Sequence, residues 1–184
     1  MRPKRTNFLM AKPRYASRLR NGYSRKMKPV ATLSLLFVFA SAFAQTGQQT
    51  PYKLNMSEKI FDPTRDTAKD IDDAIKIAKK QNKPIILDVG GNWCSWCHKL
   101  DHLFKTDKEV GILLKKFIFV QVNFSKENEN KVVLANFPKV MGYPHLFVLD
   151  KTGKLIHSQD TGLLETGDHH DPAKVIEFLK KWAK

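Results

Sequence analysis

The chain has 184 residues, 32 of them Lys or Arg and 18 Asp or Glu, for a formal charge of +14. The charge is unevenly placed: the first 28 residues carry ten basic side chains, and the first acid of the chain is Glu58. From Gln45 onward 22 basic residues face 18 acidic ones, which excludes a nucleic-acid binder as the reading of the charge and leaves room for one ordinary domain.

The basic start runs into an apolar stretch from Val30 to Ala44. At about 15 residues it falls short of the ~20 that a spanning helix needs. It ends in Ala42-Phe43-Ala44 before Gln45, a small-residue exit. Residues 1–44 are therefore expected to be a basic extension and secretory signal, cleaved after Ala44. Met27-Lys28 starts a signal of ordinary length, so the start codon is Met1 or Met27. The apolar stretch argues against a transit peptide, and the lack of a cysteine at the cleavage point argues against a lipid anchor. Membrane contact is expected only through this segment, if it is left uncleaved.

Residues 45–65 are polar and read as a linker or arm. A helix follows, with Ile71, Ala74, Ile75 and Ala78 on one face, Asp66 or Asp70 at its start and Asn82-Lys83-Pro84 at its end. Ile85 to Val89 is a short apolar run and reads as a buried strand. Gly90-Gly91-Asn92 turns the chain, and Cys97, Leu100, Leu103 and Phe104 take up helical spacing. Thr106-Asp107 breaks that helix ahead of a shorter one at 110–116. Phe117 to Asn123 is a second buried strand, and residues 127–137 are expected to be helical. Leu146–Leu149 and Leu155–His157 flank Asp150-Lys151-Thr152-Gly153, a hairpin signal. Residues 162–170 read as an extra loop containing Asp168-His169-His170, on the surface or on a partner or metal surface. Asp171-Pro172 opens an amphipathic last helix. The order is α-β-α-(α)-β-α-β-β-α, an α/β sheet covered by helices.

Cys94 and Cys97 are the chain's two cysteines. A disulfide between them closes almost no loop, so stapling gains little from it. The pair reads as chemistry: dithiol–disulfide exchange, metal ligation or haem attachment.

The strand, the glycine turn and Trp93-Cys94-Ser95-Trp96-Cys97-His98 resemble the thioredoxin family, over roughly residues 66–184. Asp88, six residues before Cys94, matches that family's buried acid. Gly142-Tyr143-Pro144 matches its cis-proline opposite the disulfide, and Asp150-x-x-Gly153 the turn after it. The motif is most similar to thioredoxin-like domains of bacterial envelope redox relays. The resemblance implies a single thioredoxin-like domain with a central mixed β-sheet flanked by helices. It implies an exported or periplasmic thiol:disulfide oxidoreductase whose redox-active disulfide is Cys94–Cys97. No cofactor and no metal are expected; the partners are protein thiols or disulfides and an upstream redox partner, and the chain is expected to be a monomer.

Physical chemistry supports these assignments. A thiolate at a helix N-terminus is stabilised by the unpaired amides there, so Cys94 is the expected nucleophile. Cys97, one turn on, is placed to resolve a mixed disulfide. Asp88 in an apolar strand is expected to titrate high and to handle the Cys97 proton. Pro144 leaves neighbouring backbone free to pair with a substrate strand. Trp93, Trp96 and Tyr143 are the candidate substrate-facing residues. Two departures stand out: Gln121 occupies the register where the family often has lysine, and Ser95-Trp96 replaces Gly-Pro.

Two rivals remain at this stage. Cys94-x-x-Cys97-His98 is also the c-type haem pattern, with Met141 or His145 as second ligand. Copper or zinc binding is the other, through Cys97 with His98, or His98 with His102. Cys94 and His102 are about 12 Å apart along a helix, too far to share one ion.

Overall fold

The computed structural model describes residues 54–183. The segment expected to be a signal, with its expected cleavage point, lies outside the described residues. Among the described residues no helix is long and apolar enough to cross a membrane.

Helix α1 spans Thr67–Gln81. The Asp66 side chain caps it by accepting from the Lys69 amide at 3.0 Å, and Asn82 ends it in the left-handed region. Strand β1, Ile85–Gly90, is buried along its whole length, as its unbroken apolar run requires. Helices α2 (Ser95–Thr106) and α3 (Lys108–Leu114) then carry the chain to strand β2, Ile118–Asn123. This crossover allows β2 to lie parallel to β1.

A single turn, α4 (Lys131–Leu134), precedes strands β3 (His145–Leu149) and β4 (Leu155–Asp160). These two pair antiparallel about the Asp150–Gly153 turn. The Asp150 carboxylate holds that turn by accepting from the amides of Thr152 and Lys154. Gly153, at φ +90°, takes a conformation that L side chains resist. A 3₁₀ turn at Thr161–Leu164 leads into the short strands β5 (Glu165–Thr166) and β6 (His169–His170). Helix α5, Pro172–Trp182, follows, with the Asp171 carboxylate accepting from the amides of Ala173 and Lys174.

The main sheet has the order β2-β1-β3-β4, with β3 antiparallel to β1. Alternate residues of β1 feed two separate cores. Ile86 packs with Leu100, Val110, Leu113, Phe178 and Leu179 under α2, α3 and α5. Ile85, Leu87 and Val89 pack with Ala74 and Ala78 of α1. This is the helix-flanked mixed sheet expected from the sequence.

Two elements differ from expectation. The helix expected over 127–137 shrinks to one turn. Asn130 is left-handed at φ 49°, and asparagine side chains hold the chain around it in a loop. The Asn130 amide donates to the Asn123 carbonyl and the Asn123 amide to the Asn128 carbonyl, both at 2.7 Å. Such side-chain bonds compete directly with helical ones. The loop expected over 162–170 is instead the 3₁₀ turn and the β5–β6 hairpin. The segment read as an arm also supplies Ile60 and Phe61 to a third buried cluster, with Cys94 and Cys97.

Candidate functional site

Cys94 is the N-cap of α2. Its backbone is extended, and its Sγ accepts from the Cys97 amide at 3.1 Å. The preceding turn is closed by the Cys94 amide donating to the Gly91 carbonyl. Cys94 and Cys97 are joined as a disulfide with Cα atoms 5.2 Å apart. Cys94 is 5% exposed and Cys97 2%. The cap position aims the unpaired amides of the first helical turn at the Cys94 sulfur.

Asp88 sits in the middle of β1, opposite Gln121 of β2 and Leu146 of β3. It is 4% exposed, and among the described residues its Oδ1 has no hydrogen-bond partner. Burial, with the Asp101 charge nearby, pushes its carboxyl up to about 7. Gln121 thus puts a neutral side chain opposite Asp88 in β2. The Lys105 Nζ bridges Asp101 at 2.7 Å and Glu58 at 2.6 Å, and the two carboxylates raise the Lys105 pKa.

The Tyr143–Pro144 bond is cis. Pro144 is buried, and its carbonyl accepts from the Thr161 hydroxyl at 2.5 Å. Trp93, 56% exposed, is pinned by its indole N–H, which donates to the Phe124 carbonyl at 2.7 Å. Its ring meets Tyr143 edge-on at 5.5 Å, and Tyr143 stacks on Phe124 at 4.8 Å. Trp96 stands at the other end of the cysteine pair. It lies edge-to-face with His170 at 5.3 Å and under the Lys99 ammonium at 4.2 Å. The His170 Nε2–H donates to the Trp96 carbonyl at 3.2 Å, and Lys99 donates to the Asp168 carbonyl. The β5–β6 hairpin is thereby fastened to the first turn of α2. Burial drives the His170 imidazole down to about 4.

Of the residues expected from sequence, Cys94 and Cys97 share cluster contacts with Trp96 and Tyr143. His98 is buried, and its Nε2–H donates to the Asn92 carbonyl at 3.0 Å. Met141 is exposed, whereas His145 is buried with its Nε2 on the Ser158 hydroxyl at 2.8 Å. Among the described residues no three His, Cys, Asp or Glu side chains gather to hold a metal ion.

The sequence reading missed Phe61, Asn92, Asp101 and His170. Asn92 accepts from the amides of Ile60 and Phe61 and donates to the Phe61 carbonyl. Asp101, four residues after Cys97, was visible as a helical neighbour of the motif. Ile60-Phe61 was visible as an apolar pair within a polar stretch.

The comparisons agree with this geometry. The family described as Thioredoxin-like matches residues 66–151. A thiol:disulfide interchange protein DsbD from Vibrio vulnificus strain CMCP6 is 26% identical over 148 residues, covering 76% of this chain and 24% of that protein. A DsbD from Actinobacillus pleuropneumoniae serotype 5b is 30% identical over 91 residues, covering 49% of this chain and 16% of that protein. The chain therefore spans about a quarter or less of these relatives' length. Among solved structures, a disulphide isomerase from Xylella fastidiosa Temecula1 superposes with a TM-score of 0.61 at 21% identity. It covers 70% of this chain and 99% of that one, which is a likeness of fold. Sheet order, the capped cysteine pair and the family match over residues 66–151 together show a thioredoxin-like fold.

Proposed function

We propose that the chain is an exported thiol:disulfide oxidoreductase acting on protein thiols and disulfides through Cys94 and Cys97. The observation that carries this reading is the capped pair, with Cys94 at the N-terminus of α2 and Cys97 one turn behind it.

In the reducing direction the Cys94 thiolate attacks one sulfur of a client disulfide. A Cys94–client bond forms, and the second client sulfur leaves as thiolate. The Cys97 sulfur then attacks Cys94 and releases the first client sulfur. Two electrons pass to the client, and the Cys94–Cys97 disulfide closes. The Cys97 proton passes to Asp88, whose carboxyl near 7 is poised to take it and return it. Oxidation of a client dithiol runs the same steps in reverse, and an upstream redox partner resets the pair.

Pro144 and the Trp93–Tyr143 and Trp96 surfaces form the client-facing rim. Residues 1–44 act as the export signal, cleaved after Ala44, with the catalytic domain over 66–184. The catalytic unit works as a monomer in the periplasm. The apolar stretch with its small-residue exit supports the export, and the relatives' name, thiol:disulfide interchange protein, supports the activity.

Reduction of insulin by dithiothreitol or a coupled reductase tests the activity. The wild-type chain accelerates it and Cys94→Ser does not. Full activity in Cys94→Ser contradicts the mechanism.

A further inference from the structure

The segment ahead of α1 holds groups that the exchange chemistry above does not use. Residues 58–61 form a strap fastened at both ends. At one end the Glu58 carboxylate accepts from Lys105, which also holds Asp101, so this end is tied to α2. At the other end Asn92 accepts from the Ile60 amide at 2.8 Å and the Phe61 amide at 2.9 Å, and donates to the Phe61 carbonyl at 2.7 Å. Asn92 is itself tied to α2 through His98.

These anchors set the Phe61 ring, 1% exposed, in one cluster with Cys94 and Cys97. The contact point is Gly90. A Cβ there would lie 2.6 Å from the Cys97 Sγ and 2.8 Å from the Phe61 Cζ. Ring and sulfur therefore fill the space a side chain at position 90 would take. Asp88 lies two residues back on the same face of β1.

We infer that Phe61, seated by Asn92, is a positioning residue for the exchange chemistry: its ring closes the Gly90 side of the pair and keeps Cys97 from every reagent except Cys94. The inference rests on the exchange reading. A resolving thiol has one intramolecular target, and any other encounter diverts it. The strap supplies that selectivity from a segment outside the cysteine motif.

The test follows Cys97 alone. The chain has two cysteines, so Cys94→Ser leaves Cys97 as its one thiol. Its alkylation by iodoacetamide under native conditions is timed by mass spectrometry. The comparison is Cys94→Ser alone and combined with Phe61→Ala, Phe61→Leu or Asn92→Ala. Because the rate reports local opening, Phe61→Ala and Asn92→Ala raise it about tenfold or more, and Phe61→Leu largely restores protection. Asn92→Ala removes three hydrogen bonds without emptying the core, and it carries the test if Phe61→Ala does not fold. Unchanged rates in the variants overturn the inference. So does an acceleration no larger than the loss of global stability measured in urea. The oxidoreductase reading fails separately, if the chain with both cysteines does not reduce insulin.

Discussion

Asp101, held by Lys105 at 2.7 Å, raises the proton affinity of the buried and unpaired Asp88. Two acids thus stand behind the cysteine pair, with a cation bound to one of them. Desolvation is the larger cause of the Asp88 shift and the Asp101 charge the smaller. The arrangement costs stability when Asp88 ionises, and it creates a proton acceptor that works near neutrality.

Asp88 therefore predicts a particular pH profile. Its folded pKa, about 7, lies above the ordinary 3.8. Between those values the folded state binds more protons than the unfolded one, so this contribution to stability falls as pH rises and is flat above about 7. Relative to wild type, Asp88→Asn gains about 4 kcal/mol in unfolding free energy between pH 4 and pH 8. Urea unfolding of the oxidised proteins at the two pH values checks this. The same substitution slows exchange at pH 7 by roughly a hundredfold, the scale of a lost proton acceptor.

Asp101→Asn separates the two causes. It removes the neighbouring charge and leaves the burial. The Asp88 titration midpoint moves down but stays above the ordinary carboxyl range. Carboxyl NMR of the oxidised protein reads the midpoint. A return to the ordinary value shows that charge, not burial, dominates.

His170 acts in the opposite sense. Its folded pKa of about 4 lies below the ordinary 6.5 because burial disfavours the charged ring. Stability from this group is fully present above 6.5 and is lost as pH falls towards 4. The loss amounts to about 3 kcal/mol and partly offsets the Asp88 effect in the same window. His170→Gln flattens this limb, so the variant loses less stability than wild type between pH 7 and pH 4.5.

Gly90→Ala tests the close approach above β1. The added Cβ meets the Cys97 Sγ at 2.6 Å and the Phe61 Cζ at 2.8 Å. Both are core atoms, so overpacking costs about 1–3 kcal/mol in urea unfolding. Gly142→Ala, whose Cβ meets nothing within 4 Å, serves as the neutral comparison.

The fold and the centre of the site were legible in the sequence because their signals are local. Apolar runs marked β1 and β2, and Asp66 and Asp171 marked helix starts. Asp150-x-x-Gly153 marked the turn between β3 and β4. The disulfide, the buried Asp88 and the cis bond at Pro144 stand where the motif register put them. What the sequence hid depends on distant contacts. Phe61 lies in a polar stretch and is buried against the cysteine pair, with its backbone satisfied by Asn92, 31 residues away. His170 looked like part of a surface excursion and is buried against Trp96, 74 residues back. The helix expected over 127–137 carried the right composition, but asparagine side chains took the hydrogen bonds it needed.

The central claim is that Cys94 attacks and Cys97 resolves. The most direct measurement is trapping. Cys97→Ser is mixed with a peptide disulfide, quenched with acid, digested and mapped by mass spectrometry. The account predicts a stable mixed disulfide between the peptide and Cys94, with no such adduct persisting in the wild-type chain. A Cys97→Ser protein that forms no adduct at Cys94, while wild type still exchanges disulfides, contradicts it.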